Sequence, residues 1–244
     1  MPKPAGKKPE VSIIVPTLNE ERRITETIRA LKHAAPGAEI VVADGLSSDH
    51  TVLLACKMGA RIVCETTDPG HRKSIGAGRN AGARAARGQI LWFVDADTRP
   101  DDRFYRRMLA EFEDQRVVGV GCKIMTRDLG FMDNLIFDFL NGLVWASVLV
   151  GRPAIAGNCV AYRRDAFFKI KGFDEEMEAS EDQDLCIRIS KHGRVVYLDD
   201  VVATTSSRRL KKMGWLGLSL DWGKTTINFL LGRKTRRYVI VREV

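Results

Sequence analysis

The first hundred residues alternate short apolar runs with segments that have helical spacing. In the first helical segment, Ile24, Ile28 and Leu31 recur at the interval that puts them on one face of a helix. This β-α-β-α order favours parallel strands. The sequence therefore predicts an α/β fold with a mostly parallel central sheet and helices on both faces. The predicted strands cover 11–16, 39–43, 60–64 and 89–94. The first predicted helix follows the loop after the first strand and ends near residue 32, and two further helices cover 50–58 and 77–87.

The second half of the chain has a mixed order, with helix predicted at 103–114 and strands at 117–125, 158–163 and 195–198. Its most apolar stretch, 131–150, carries Asn134, Asp138 and Asn141 on one helical face. Those polar residues make it a poor transmembrane helix. Two interpretations stay open, a core helix and a helix that contacts a membrane.

Positive charge is concentrated at the carboxyl end of the chain. Residues 206–244 hold ten Lys and Arg against two Asp and Glu, which accounts for the net charge of +8 of all 244 residues. The predicted organisation is a disordered basic tail at 1–9, a catalytic domain at 10–205 and a basic amphipathic segment at 206–244. Such an appendage on a neutral body suggests an anionic partner, a membrane surface or nucleic acid.

The C-terminal segment combines basic flanks with an apolar stretch at 215–231. On a helical wheel, Trp215, Leu218 and Trp222 lie opposite a narrow polar face that contains Asp221 and Lys224. This pattern is typical of a helix in a membrane interface, although a helix docked on the core would also explain it. No groove-reading motif is present, so nucleic acid is not expected as a partner.

Five cysteines are scattered without a CxxC pair, so neither a disulfide framework nor a zinc site is indicated. Free thiols favour a reducing compartment. The apolar run after residue 10 is too short for the core of a signal peptide. We therefore expect a cytoplasmic protein, bound peripherally to the inner face of the cell membrane.

Carboxylates follow two of the predicted strands. Asp44 follows the second strand, Asp95 and Asp97 follow the fourth, and Glu20 lies in the loop after the first. Ligands of open parallel sheets bind at the carboxyl ends of the strands, so these groups should converge. In an extended chain, Asp95 and Asp97 would point to the same side. Hard oxygen ligands of this kind predict a Mn²⁺ or Mg²⁺ site formed by Asp97 and Asp95.

A glycine-rich stretch at 76–82 lies between the third and fourth strands. It lacks the GxGxxG spacing of a dinucleotide fingerprint and does not follow the first strand. We interpret it as backbone close to a ligand. Arg79 would then either meet a phosphate of that ligand or form a salt bridge within the fold.

Several motifs occur together and in a fixed order between residue 11 and about residue 205. They are Val-Ser-Ile-Ile-Val-Pro-Thr-Leu-Asn-Glu at 11–20, Val-Ala-Asp-Gly at 42–45, Ser-Asp-His-Thr at 48–51, Gly-Arg-Asn-Ala-Gly at 78–82, Asp-Ala-Asp at 95–97, Gly-Asn at 157–158, Gly-Phe-Asp at 172–174 and Glu-Asp-Gln-Asp-Leu at 181–185. In this order the chain resembles a family 2 glycosyltransferase of the GT-A fold. The resemblance implies transfer of a single sugar, with inversion, from a UDP- or GDP-sugar to a lipid-linked or glycan acceptor.

The resemblance also assigns roles to individual residues. It implies a nucleoside pocket lined by Pro16, Thr17 and Glu20, a base contact from Asp44, a ribose and diphosphate contact from Asp95, a metal contact from Asp97 and a catalytic base at Asp182.

The residue types suit this chemistry. A divalent ion held by Asp97 would neutralise the departing diphosphate as a Lewis acid, and Arg79 or Lys73 would add positive charge. A positioned carboxylate such as that of Asp182 can take the proton of an acceptor hydroxyl. Without the resemblance, the acidic run before 185 would be interpreted as a solvated helix start.

Three features depart from the family pattern. No histidine follows the Asp-rich block at 203–209, where many relatives have one near the metal or diphosphate. No QxxRW-type motif of processive synthases is present. Thr98-Arg99-Pro100 after Asp97 differs from the dolichol-phosphate mannose synthases.

Two other functions compete with this interpretation. A nucleotidyltransferase of similar fold also uses a strand-end Asp for its metal, but it would carry a Gly-rich, Lys-containing loop after the first strand, where this chain has Thr17-Leu18-Asn19-Glu20. The second competing function is that of a non-catalytic module that binds sugar or membrane. Replacement of Asp97 or Asp182 by Asn separates this module from an enzyme, because only an enzyme would lose turnover.

Overall fold

A computed structural model describes residues 9–64, 74–127 and 130–230. The N-terminal tail to residue 8, Lys73 and the basic residues after 230 lie outside the described residues. The strands are β1 (Val11–Thr17), β2 (Glu39–Asp44), β3 (Arg61–Cys64), β4 (Ile90–Val94), β5 (Arg99–Pro100), β6 (Val117–Thr126), β7 (Cys159–Arg163) and β8 (Arg194–Thr205). The helices are α1 (Ile24–Ala34), α2 (Thr51–Lys57), α3 (Ile75–Ala85), α4 (Phe104–Phe112), α5 (Phe131–Leu149), α6 (Arg164–Lys169), α7 (Glu181–Ser190) and α8 (Arg208–Leu230).

The strands form one sheet in the order β3-β2-β1-β4-β7-β6-β8-β5. The first four strands of that order are parallel, as are β6 and β8, while β7 and β5 run antiparallel to their neighbours. Neighbouring residues such as Ile13 and Ile14 are both fully buried, because each face of a parallel sheet is covered. The predicted parallel core is confirmed.

Helices cover both faces of the sheet. On one face, Ile28 of α1 and Met108 of α4 pack with Ile13 of β1. On the other, Phe167 of α6 and Leu185 of α7 join a separate apolar layer. This arrangement follows from the helical spacing of the apolar residues, and it confirms the predicted three layers.

Strand β8 is longer than the predicted strand at 195–198. Its pairing with β6 shifts register between Cys122 and Lys123, so that residues 199–201 form a bulge. Asp199 and Asp200 in this bulge are exposed and interrupt the apolar pattern. The strand nevertheless continues to Thr205, which carries its end to the same edge as Asp97.

Helix α5 packs only one side against the body of the protein. Phe137 is buried in a small cluster with α8, and the Asn141 side chain hydrogen-bonds the Ile124 backbone and the Tyr197 hydroxyl. The opposite side exposes large apolar groups, including Phe131 at 76% and Phe139 at 66%. The helix is therefore a core element on one side and uncovered on the other.

Helix α8 bends at Gly214, whose backbone has φ 64° and ψ 171°. Beyond the bend, Leu218 is buried, and Trp215 and Trp222 pack on the same cluster as Phe137. Of the two interpretations of this stripe, the structure contains the docked helix, because α5 supplies an apolar surface for it. Within the described residues, no helix is both long and apolar enough to span a bilayer. The five cysteines are free thiols.

Candidate functional site

The loops that follow β1, β2 and β4 meet at one edge of the sheet. The loop after β1 is tied to the loop after β2, because the Asn19 side-chain oxygen accepts a 2.8 Å hydrogen bond from the Ser48 N–H. Asn19 has φ 57°, a left-handed conformation that Asn tolerates better than most residues. The Glu20 N–H donates to the Thr51 hydroxyl at 2.8 Å. The two loops therefore form one surface.

The Asp44 side chain connects the end of β1 to the loop after β2. Its side chain accepts hydrogen bonds from the Thr17 hydroxyl at 2.9 Å, the Ser47 hydroxyl at 2.6 Å and the Ser47 N–H at 2.8 Å. Asp44 is only 1% exposed, and Thr17 is buried beside it. Pro16 precedes Thr17 and pairs with Ala43 in the sheet. The predicted contacts of these residues with a nucleoside stay predictions, while the structure assigns Asp44 a role in shaping the loop.

Asp95 and Asp97 lie in a turn, not in extended chain. The Thr98 N–H donates to the Asp95 carbonyl at 2.9 Å, and Ala96 between the two acids is buried. The expectation that both side chains share a direction through strand alternation is therefore wrong, since the strand ends at Val94. Each of the two carboxylates instead binds a different arginine. The turn therefore connects two separate networks of hydrogen bonds.

The first network surrounds Arg79, in the middle of α3. Its guanidinium donates to Asp95 and Glu181, each at 2.8 Å, and to the Gly157 carbonyl at 3.2 Å. The side chain is 2% exposed, so these partners replace water. Asn158 donates to the second Asp95 oxygen at 3.2 Å. Of the two alternatives for Arg79, the structure contains the salt bridge, and a contact with phosphate stays a prediction.

Burial changes the protonation of the acids around Arg79. Desolvation, together with the nearby Asp182 charge, raises the pKa of Glu181 to about 7, although Arg79 opposes the shift. Desolvation also raises the pKa of Asp95, again against the effect of Arg79. The site therefore contains a carboxyl group that changes charge near neutral pH.

Asp182 lies in the first turn of α7, after Ser180, whose φ is 62°. One carboxylate oxygen accepts the Gly157 N–H at 2.8 Å and the other accepts the Gln183 N–H at 2.8 Å. Because the Gly157 carbonyl also binds Arg79, a short chain of hydrogen bonds connects Asp182 to Asp95. The half-buried Asp182 side chain is thus fixed relative to the β4 turn.

The second network surrounds Arg208, the first residue of α8. One nitrogen of its guanidinium lies 2.9 Å from Asp97 and 3.0 Å from Glu20. The Thr205 hydroxyl donates to the other Asp97 oxygen at 3.2 Å. Burial raises the pKa of Glu20, and Arg208 partly offsets this. The boundary predicted between 205 and 206 therefore does not separate the basic segment from the site.

Sequence reasoning missed Arg208 and Thr205 as site residues. Arg208 was counted with the basic segment because its charge is close to Arg209, Lys211 and Lys212 in the sequence. The available signal was its position just after a strand end, where the family histidine is absent. Thr205 lies in the stretch 203–209 that lacks the histidine, and its residue type alone did not single it out.

The residues around Asp97 fit a divalent cation. Within the described ranges, no group of three or more His, Cys, Asp or Glu side chains is arranged as a metal site. Mg²⁺ is usually held by one or two carboxylates together with substrate phosphates and water, which does not need such a group. Asp97 and Glu20 supply two carboxylates that already share one cationic partner, the Arg208 guanidinium.

A cavity of about 210 Å³ opens beside these groups, lined by Asn19, Glu20, Glu21, Arg22, Arg23, Ser48, Asp49 and Arg208. A wider cleft of about 330 Å³ lies at the opposite edge, near Gly37 and Arg61. That cleft borders the amino ends of β2 and β3, whereas ligands of parallel sheets bind at the carboxyl ends. We therefore assign the functional site to the smaller cavity.

The whole architecture matches solved glycosyltransferases. The mannosyltransferase PcManGT from Pyrobaculum calidifontis, solved with GDP-Man and Mn²⁺, aligns with a TM-score of 0.73 and 22% identity over 95% of this chain and 67% of its own. Glucosyl-3-phosphoglycerate synthase from Mycobacterium tuberculosis, solved with Mn²⁺, UDP and glucosyl-3-phosphoglycerate, aligns with a TM-score of 0.62 and 21% identity over 95% and 82%. These matches confirm the predicted GT-A fold.

Curated relatives are similar over most of this chain. The pre-mycofactocin glycosyltransferase of Mycobacterium tuberculosis is 25% identical over 88% of the chain and 46% of its own length. The succinoglycan biosynthesis protein ExoA of Rhizobium meliloti is 28% identical over 82% and 63%. The chain thus spans about half to two thirds of the length of these relatives. The model of glycosyl transferase family 2 matches residues 12–170, and the chain belongs to this family.

Proposed function

We propose that this chain is the catalytic domain of a metal-dependent, inverting glycosyltransferase. It transfers one sugar from a UDP- or GDP-sugar to a lipid-linked or glycan acceptor. One observation carries the proposal: Glu20, Asp95, Asp97 and Asp182 come from three separate segments, the loop after β1, the turn after β4 and the start of α7, and meet at one sheet edge. Buried carboxylates are costly unless they have partners, and here Arg79 and Arg208 supply those partners beside the cavity that Glu20 lines.

The loops after β1 and β2 form the donor side of the site. Asp44 and Asn19 hold these loops together, which gives a nucleoside a preformed surface. Mannosyltransferase PcManGT was solved with GDP-Man, and another fold relative, TarS of S. aureus, was solved with UDP-GlcNAc. Both nucleotide types are therefore compatible with this fold.

Asp97 and Glu20 are the residues that would hold a divalent cation, Mn²⁺ or Mg²⁺. Such an ion stabilises the negative charge that develops on the departing diphosphate. Asp95 lies in the same turn, but Arg79 and Asn158 occupy its two oxygens. It would therefore position the turn and contact the ribose or diphosphate more readily than the ion.

Asp182 is the proposed catalytic base. Its two backbone hydrogen bonds fix the carboxylate while leaving a lone pair on each oxygen for an acceptor hydroxyl. Proton transfer to a positioned carboxylate contributes about 10²- to 10⁴-fold to rate. An acceptor phosphate is already ionised and would not need this step.

A panel of donor sugars tests the proposal through release of nucleoside diphosphate, with and without Mn²⁺. We expect release from one donor that depends on Mn²⁺ and is lost in Asp97→Asn. The matched control is Asp102→Asn, because Asp102 lies close in sequence and its side chain is 70% exposed. Absence of metal-dependent release from every donor, or equal loss in both variants, would contradict the proposal.

The proposal includes peripheral attachment to an anionic membrane surface, which would bring the site to a lipid-linked acceptor. Large apolar side chains are exposed on both α5 and α8, and Lys211 and Lys212 lie exposed on α8. Surfaces of this kind on soluble proteins usually mark an interaction site. The uncovered groups include Phe131, Leu135, Phe139, Leu143, Leu216 and Leu220.

Sedimentation with phosphatidylglycerol vesicles tests the attachment. We expect the double variant Leu216→Ser and Leu220→Ser to bind the vesicles less than the parent. Leu53→Ser is the control, because Leu53 is 51% exposed on a different helix, α2. Unchanged sedimentation of the double variant would rule out α8 as the attachment surface. Neutral phosphatidylcholine vesicles show whether charge is required.

A further inference from the structure

Arg208 occupies the position of a cation between two carboxylates. Its guanidinium contacts one oxygen of Asp97 at 2.9 Å and both oxygens of Glu20 at 3.0 and 3.4 Å. The Thr205 hydroxyl engages the remaining Asp97 oxygen at 3.2 Å. Both oxygens of the expected metal ligand therefore already have partners within the protein.

A divalent ion and a guanidinium cannot share the same side of the Asp97 carboxylate. Each needs the oxygen lone pair, and two positive groups at contact distance repel each other strongly in a half-buried site. Binding of an ion at Asp97 consequently requires the guanidinium to leave this oxygen. Glu20 still retains it near the cavity, on the side where a diphosphate would lie.

Arg79 is not equivalent to Arg208 in this respect. Arg79 is 2% exposed and binds Asp95, Glu181 and a backbone carbonyl, so its displacement would leave several buried groups without partners. Arg208 is 17% exposed, and among the residues that the structure describes its guanidinium hydrogen-bonds only carboxylates. Of these two arginines, Arg208 is the one that can exchange its partner for water or phosphate.

The backbone around Arg208 can follow such a movement. Residues 208–213 form a short helical segment between the end of β8 and the bend at Gly214. A Cβ at Gly214 would meet no heavy atom within 4 Å, so the bend lies in open space. Leu210 is buried against the cluster that contains Phe137 and Leu218. Leu210 thus connects the segment that carries Arg208 to the packing of α8 on α5.

We propose that Arg208 competes with the divalent ion for Asp97 and leaves it when the ion binds, so that loading of the donor site moves the start of α8. The inference rests on the proposed function. It gives the C-terminal basic segment a role at the sugar-donor site, in addition to any role at a membrane. In the metal-free protein Arg208 serves as the counter-ion that holds Asp97 and Glu20 together.

Mn²⁺ binding without nucleotide, followed by electron paramagnetic resonance of the free ion, tests the competition directly. If the paired form represents about nine molecules in ten, Arg208→Gln should bind Mn²⁺ about tenfold more tightly than the parent. Arg208→Lys should lie between them, since an ammonium lacks the second nitrogen through which Arg208 also reaches Glu20. Lys211→Gln removes the same charge from an exposed position nearby and should change the affinity less than about twofold, because exposed charges are screened.

Hydrogen exchange provides a second readout that does not depend on activity. Saturating Mn²⁺ should accelerate amide exchange in 208–213 of the parent protein. In Arg208→Gln this segment should exchange at the fast rate before Mn²⁺ is added and should not respond further. The amides of α3, around Arg79, serve as the internal reference and should remain protected throughout.

The outcomes separate this inference from the proposed function. Equal Mn²⁺ affinity of the parent and Arg208→Gln, an equal gain in Lys211→Gln, or unchanged exchange in 208–213 would overturn the competition while metal-dependent turnover remained intact. Failure of both proteins to bind Mn²⁺, even with added UDP or GDP, would overturn the metal step of the proposed function and this inference with it.

Discussion

Arg79 and Glu181 form a 2.8 Å ion pair between α3 and α7, with side-chain exposures of 2% and 9%. The two residues are 102 positions apart, so the pair connects distant parts of the chain across the site. The same guanidinium reaches Asp95 at the end of β4. One arginine thus holds three of the segments that form the proposed active site.

Removal of Arg79 should destabilise the protein strongly. Arg79→Met leaves Asp95 and Glu181 buried without their cation, which typically costs about 3–5 kcal/mol in the free energy of unfolding. Arg84→Met is the control on the same helix, because its contact with Glu175 is 3.4 Å and Arg84 is 58% exposed. We expect a change below about 1 kcal/mol there. Urea unfolding measures both, and equal effects would contradict the structural role of Arg79.

Stability should depend on pH through Glu181. Its pKa is about 7 in the fold and near 4.5 when unfolded. Between these values the folded protein holds a proton that the unfolded chain has lost, so stability falls as pH rises from about 4.5 to 7. Over this pH range the titration of Glu181 lowers the free energy of unfolding by about 3 kcal/mol.

Urea unfolding between pH 5 and 8, in EDTA, measures this slope. Glu181→Gln should remove most of the decrease, because an amide does not titrate. Glu113→Gln, at the exposed end of α4, should keep the parent slope. A Glu181→Gln slope identical to that of the parent would show that another group is responsible.

The parallel half of the fold was predictable because it depends on short, continuous stretches of the sequence. Strands β1, β2 and β4 are continuous apolar runs, and their carboxylates follow directly. The contacts of Arg208 were not predictable in the same way, because Glu20 and Arg208 are 188 positions apart. Likewise, the partner of Trp215 was not predictable, because the surface that covers it belongs to α5. Helical periodicity identifies an apolar face but not its partner.

Gly82 permits the close approach of α3 to the sheet. A Cβ at this position would lie 2.5 Å from the Ile14 side chain and 3.2 Å from Ala43. Gly82→Ala should therefore destabilise the protein by about 1–3 kcal/mol through overpacking. Gly142→Ala in α5 is the matched control, with no heavy atom within 4 Å of the new methyl group.

The control should change stability in the opposite direction. Alanine has a higher helix propensity than glycine, which favours Gly142→Ala by about 0.5–1 kcal/mol. Thermal unfolding of the two variants beside the parent gives both signs in one experiment. A stabilised Gly82→Ala variant would contradict the packing of α3 on β1.

Asp182→Asn separates a catalytic carboxylate from a structural one. The asparagine oxygen can still accept the Gly157 N–H, but the amide group loses the hydrogen bond from the Gln183 N–H, so we expect the free energy of unfolding to fall by about 1–3 kcal/mol. Sugar transfer to a hydroxyl acceptor should fall by about 10²- to 10⁴-fold, because an amide cannot take the proton. Asp184→Asn, two positions along α7, should lose only its ion pair with Arg188 and retain transfer.

The size of the Asp182→Asn effect also reports on the acceptor. With a phosphate acceptor no proton has to be removed, and the loss of transfer should stay below about tenfold, the effect of a changed local charge. Steady-state rates with a glycan acceptor and with a polyprenyl phosphate acceptor measure the difference. Full transfer to both acceptors in Asp182→Asn would exclude this carboxylate as the base and would direct the search to Glu181, the neighbouring acid whose pKa of about 7 also suits proton transfer.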